Sequence, residues 1–200
     1  MAKRVLIAGI VSGIVLFFWG GLYHDALPFG FIGIQEIPQE QAVVNTIKTN
    51  IPTPGLYLFP GSGLPADAPF SQKKAAMQKV MQGPATAHGV VIYQGVGSVA
   101  LGMGQLVTEC ATNILQALLV AFLLAQAGLR RYASRLGFVF VLGLLAAITT
   151  NISYWNWYGF PSSFTLSTMF AVVVGYFIVG LITSAIVKPG VSKALTATAA

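Results

Sequence analysis

VLIAGIVSGIVLFFWGGLY, residues Val5–Tyr23, carries no charged side chain and directly follows Lys3-Arg4. Three further tracts share its character: Cys110–Leu129, Leu136–Ser153 and Phe164–Val187. A helix of about 20 apolar residues crosses the roughly 30 Å hydrocarbon core of a bilayer. The sequence therefore predicts an all-α membrane protein with four transmembrane helices.

Composition agrees. Charged residues make up 8% of the chain and apolar residues 56%, whereas a soluble domain is about 25% charged. Water could not cover that much apolar surface, but lipid can. The net charge of +6 raises the possibility of nucleic acid, yet its distribution points elsewhere. Lys3, Arg4, Arg130, Arg131, Arg135, Lys188 and Lys193 all flank apolar tracts. Basic residues so placed orient helices and meet anionic headgroups. No basic stripe with interleaved aromatics supports nucleic-acid binding. The single cysteine, Cys110, excludes an intrachain disulfide and suits packing inside a span.

Orientation follows from the same charges. Lys3 and Arg4 place the N-terminus in the cytoplasm, Arg130, Arg131 and Arg135 place the second connection there, and Lys188 and Lys193 do so for the C-terminus. The first tract resembles a secretory leader, but Gly20-Gly21-Leu22-Tyr23-His24 lacks a cleavage pattern. It reads as a retained signal anchor in an N-in, C-in protein. The connection Tyr154–Ser163 is uncharged and aromatic, which suits the outer interface and a partner surface made of Tyr154, Trp155, Trp157, Tyr158 and Phe160.

The stretch 24–103 holds eight of the ten prolines and reads as an extracytoplasmic α/β insertion between the first two spans. Val43, Val44, Ile47 and Ile51 repeat at helical spacing, predicting a helix over Pro38–Asn50. Leu56–Phe59 and Gly89–Gln94 read as strands. A second helix is expected over Ser71–Gln82, with Ser71 as N-cap and Gly83-Pro84 as its stop. The expected domains are thus 1–23, the anchor helix; 24–103, a small cap on the outer membrane face; and 104–200, three helices with a short cytoplasmic tail. Two strands alone are marginal in water, so the cap should lean on the helices or on a partner. Gly95–Gly104, with four glycines and no charge, suits either a flexible connection or an extended pairing segment.

Taken together, Trp19-Gly-x-x-x-His24, Leu27-Pro28, Gly33-Ile34, Pro38-x-Glu40 and Pro54-Gly55-x-Tyr57-x-Phe59-Pro60-Gly61 resemble a family of small bacterial membrane proteins of unknown function. The resemblance covers the first span, the insertion and the start of the second span around Glu109 and Asn113. It implies a bacterial inner membrane and supplies no activity.

Candidate chemistry centres on Glu109, the one acidic residue beside a span. Glu109 to Arg130 is 21 residues, about 31 Å of helix, so the carboxylate belongs near the outer interface. Gln105, Glu109, Thr112, Asn113 and Gln116 share a helix face as a polar stripe that must meet other helices or a wet cavity. His24 and Asp25 lie at the same expected depth. These three titratable groups have no recognised metal-ligand spacing, and His88 joins them only through folding. Small residues at four-residue spacing, as in Gly9/Gly13, Ala117/Ala121/Ala125, Gly143/Ala147 and Ser167/Ala171/Gly175, let helices approach closely.

No catalytic triad, phosphate-cradling loop or haem-attachment motif is present. Gly95-x-Gly97 and Gly102-x-Gly104 lack a Rossmann context, and the sequon Asn151-Ile-Ser153 abuts the membrane. The expectation is a protein that is not an enzyme, with no cofactor and no metal site. Its expected role is an accessory or scaffolding subunit of a multi-subunit bacterial membrane complex, respiratory or photosynthetic in type. The alternative is a membrane protein that binds a small ligand, lipid or quinone around His24, Asp25 and Glu109.

Overall fold

The computed structural model describes residues 1–84, 87–98 and 101–188. Lys193 and the expected cytoplasmic tail lie outside them. In chain order the elements are α1 (Ala2–Gly21), a π-helical turn (Leu22–Ala26), a 3-10 turn (Pro28–Phe31), α2 (Glu40–Asn50), β1 (Gly55–Phe59), α3 (Phe70–Gln82), β2 (Gly89–Tyr93), α4 (Met103–Gln126), α5 (Tyr132–Tyr158) and α6 (Ser162–Ile186). The chain divides into two compact units, Met1–Gln35 with Leu101–Ala200, and Glu36–Ala100.

In the first unit, α1 with its π turn, α4, α5 and α6 are each long and apolar enough to cross a membrane. Their ends depart from the tract boundaries in instructive ways. α4 begins at Met103, ahead of the charge-free tract and one residue before the expected boundary at 104; the Gln105 side chain accepts the Gly102 N–H at 2.7 Å and satisfies a donor that the helix start would otherwise orphan. α5 runs on to Tyr158. Beyond Ser153 it meets no Gly or Pro until Gly159, which adopts φ 70° and ends it. The aromatic stretch expected as a loop is therefore the last turn of α5, and only Gly159–Pro161 connects to α6.

α1 packs along both α4 and α6, and α5 packs along α6, whereas α4 meets α5 and α6 only thinly. Small residues set the close contacts. A Cβ on Gly9 or Gly13 would run into Leu118 or the backbone of Ile114, and one on Gly180 would crowd Leu136 and Val139. Ala8, Ala117, Ala121, Val139 and Ala147 are buried along these seams. Arg135, expected as a flanking charge, is also buried. It donates to the Ser184 carbonyl at 2.8 Å and to the Arg130 carbonyl at 2.8 Å.

The boundary of the insertion moves as well, because residues 24–35 belong with the helices rather than the cap. Ser167 Oγ on α6 donates to the Phe29 carbonyl at 3.0 Å, and the Phe29 and Phe170 rings meet edge-on at 5.8 Å. Gly33, at φ 80°, lies against the Phe164 backbone with no room for a Cβ.

The second unit holds α2, α3 and an antiparallel ribbon in which Gly55 pairs with Tyr93 and Tyr57 with Val91. α3 starts at Phe70, preceded by Pro69, so Ser71 lies in its first turn and is not the N-cap. Gly83 does end α3, but in extended backbone at ψ 177°, because Pro84 disfavours a helical conformation in the residue before it. Gly95 and Gly97 turn the chain with φ of 86° and 84°. Among its described residues this unit has no buried side chain.

Candidate functional site

Counting 1.5 Å per helical residue, Lys3 to His24, Glu109 to Arg130, and Arg131 to Asn151 each span about 30 Å. The helical unit thus has a basic end and, one hydrocarbon thickness away, an end carrying His24, Glu109 and Asn151. At that second end a pocket of about 290 Å³ lies among α1, α4, α5 and α6. His24 from the π turn, Glu109, Asn113 and Gln116 from α4, Asn151 from α5 and Tyr176 from α6 all line it.

The α4 stripe works as helix geometry requires. Residues four apart face the same side, and Asn113 Nδ2 donates to Glu109 Oε1 at 3.0 Å. One turn deeper, the Tyr176 hydroxyl donates to Gln116 Oε1 at 3.3 Å, joining α6 to α4 across the gap. Trp19 Nε1 donates to the Ala171 carbonyl at 2.9 Å, and Asn151 Nδ2 to the Ala147 carbonyl at 2.9 Å. The walls are thereby held in place. The oxygens of Glu109 and the amides of Asn113 and Gln116 present both donors and acceptors to the pocket.

Below this level the thin contact between α4 and α5 leaves a cleft of about 340 Å³. Leu119, Leu123, Leu142 and Leu145 give it an apolar wall, while Gln116, Ala146, Thr150 and Tyr176 line both levels. The upper level carries more polar side chains than the lower, and the two adjoin at Gln116, Ala146, Thr150 and Tyr176. Among the described residues no group of three His, Cys, Asp or Glu side chains is placed to hold a metal ion.

Four of the six expected residues, His24, Glu109, Asn113 and Gln116, thus come together. Gln105 instead closes the start of α4, and Asp25 is exposed on the π turn outside the pocket. His88 belongs to the other unit. Trp19, Thr150, Asn151 and Tyr176 complete the site without having been singled out for it. Their available signal was polarity inside apolar tracts: Thr149-Thr150-Asn151 in the third and Tyr176 in the fourth.

The aromatic group at the α5–α6 turn packs largely on itself. Tyr154 stacks on Phe160 at 5.6 Å, and Trp155 Nε1 donates to Ser162 Oγ at 3.0 Å. Trp157 stands out, with 78% of its surface exposed. Comparison with protein-family models, with curated proteins and with solved structures gave no match.

Proposed function

We propose that this chain is a membrane-embedded binding protein that holds one small amphiphile, of the lipid or quinone class, between α4 and α5. The observation that carries the reading is the two-level cleft, polar at the His24 end and apolar below it. A polar head meets Glu109, Gln116 and the Tyr176 hydroxyl, while an apolar tail covers Leu119, Leu123, Leu142 and Leu145. Lipid alone serves such a stripe poorly, because polar groups facing hydrocarbon without partners are costly. The two levels together offer space within the range of small-ligand pockets, about 300 to 1,000 Å³.

The membrane in this reading is the bacterial inner membrane, with N-in, C-in orientation and the head at the outer leaflet. Lys3, Arg4, Arg130, Arg131 and Lys188 at one end support that orientation. Reporters fused at Asp67 and Arg131 should lie on opposite sides, Arg131 in the cytoplasm; the reverse result removes it.

Binding is tested on the full chain purified in mild detergent, by solvent extraction and mass spectrometry. The native protein should carry a near-stoichiometric amphiphile. Ala146→Phe, which fills the junction of the two levels, should lower its retention about tenfold or more with helix content unchanged. No amphiphile from several mild detergents, or equal retention by Ala146→Phe, overturns the reading.

A second reading, an accessory or scaffolding subunit of a multi-subunit bacterial membrane complex of respiratory or photosynthetic type, rests on a different observation. The unit Glu36–Ala100 contains no buried side chain among its described residues, and such a unit gains most from a protein partner.

A further inference from the structure

The basic end of the helical unit holds a second cavity that the proposed amphiphile site does not use. α1 and α4 approach most closely at Gly9 and Gly13, where Leu118 and Ile114 leave no space for a Cβ. Toward the basic end, branched side chains replace the glycines and a cavity of about 560 Å³ opens between the two helices. Val5, Leu6, Leu118, Phe122 and Ala125 form its walls, and Lys3 and Gln126 stand on its rim. Leu6 is 53% and Phe122 51% exposed, so the groove faces outward from the bundle.

We propose that this groove binds an acyl chain of an anionic phospholipid whose phosphate is met by Lys3. Its walls are hydrocarbon and run along helices that face lipid, which selects a chain lying beside α1 over a water-borne solute. Charge selects the head. Arg4, Arg130, Arg131 and Lys188 occupy the same end, while Asp25 and Glu109, the acidic residues of this unit, sit at the opposite one. A phosphate-bearing anionic head is attracted to these cations, and the Gln126 amide offers it a hydrogen bond without adding charge. A zwitterionic head gains much less. The groove lies between α1 and α4 and shares no lining residue with the α4–α5 cleft, so neither site depends on the other.

The experiment titrates the full chain in mild detergent with phosphatidylglycerol, with phosphatidylcholine of the same acyl chains, and with inorganic phosphate. Apparent affinity is read by native mass spectrometry and stabilisation by thermal unfolding. Phosphatidylglycerol should bind about fivefold more tightly than phosphatidylcholine, the gain expected from one lysine at an anionic surface. Lys3→Gln should remove that preference, and Arg131→Gln should keep it. Ala125→Trp, which fills the groove, should weaken both lipids. So should Leu6→Ser, which changes an exposed position without overpacking. Equal binding of the two lipids, equal losses in Lys3→Gln and Arg131→Gln, or stabilisation by phosphate alone would each overturn the proposal. So would a second copy of the chain on this face, seen as a dimer mass that Ala125→Trp abolishes.

Discussion

The Arg135 guanidinium donates twice to the Ser184 carbonyl, at 2.8 and 3.2 Å, and once to the Arg130 carbonyl at 2.8 Å. Ser184 lies in the last turn of α6, where carbonyls have no helical partner. One planar side chain therefore satisfies the end of α6 and ties it to the α4–α5 connection. The sequence shows Arg130, Arg131 and Arg135 as three similar flanking charges, because periodicity records spacing and not which helix end lies opposite. Once packed they differ: Arg135 is 7% exposed and Arg131 is exposed. Arg135→Gln should cost roughly 2–3 kcal/mol, the loss of charge-assisted hydrogen bonds to buried carbonyls. Arg131→Gln should stay within about 0.5 kcal/mol. Denaturant unfolding of both variants in the same micelles provides the measurement, and equal effects would reduce Arg135 to an orienting charge.

At the scale of elements, glycines separate the seams that hold from the faces that do not. A Cβ on Gly13 would sit 2.8 Å from the Ile114 backbone nitrogen, whereas one on Gly137 would meet nothing within 4 Å. Gly13→Ala should therefore destabilise the α1–α4 pair by about 1–3 kcal/mol, as overpacking does. The same change at Gly137 should stabilise by a few tenths up to about 1 kcal/mol through helix propensity. Thermal unfolding of the two variants should shift in opposite directions; a shared direction would mean that propensity, not contact, governs both positions. The four long helices and the α2–β1–α3–β2 order were legible because apolar length and turn residues report them locally. Small-residue spacing also located the seams at Gly9, Gly13, Gly143 and Ala147. The helix ends were less legible. The start of α4 depends on Gln105 reaching back to Gly102, and the end of α5 on the left-handed turn at Gly159, both details of backbone conformation that an apolar run does not encode.

For the whole molecule, the candidate site was half visible: α4 alone displays Glu109, Asn113 and Gln116, but Asn151 and Tyr176 join them only when α5 and α6 pack. The unit Glu36–Ala100 poses the opposite case, since its elements were readable while their consequence was not. Its ribbon places Leu56 opposite Ile92 and Leu58 opposite Val90, so one face is apolar along its whole length. Leu56, Leu58 and Ile92 remain 62%, 55% and 65% exposed. A two-stranded ribbon is marginal alone, and the exposure of these side chains leaves most of their hydrophobic stabilisation unrealised. Another chain's apolar surface would supply it and cover the ribbon edges as well. Gentle solubilisation of native membranes should therefore yield a particle well above 21.1 kDa, containing other polypeptides in fixed ratio. Leu56→Ser with Ile92→Ser should release the chain from that particle while leaving it inserted, whereas Trp157→Ala should do so only if the α5–α6 turn belongs to the same interface. Recovery of the unaltered protein as a lone monomer under several mild detergents would sink the subunit reading, because the exposed ribbon would then have nothing to cover it.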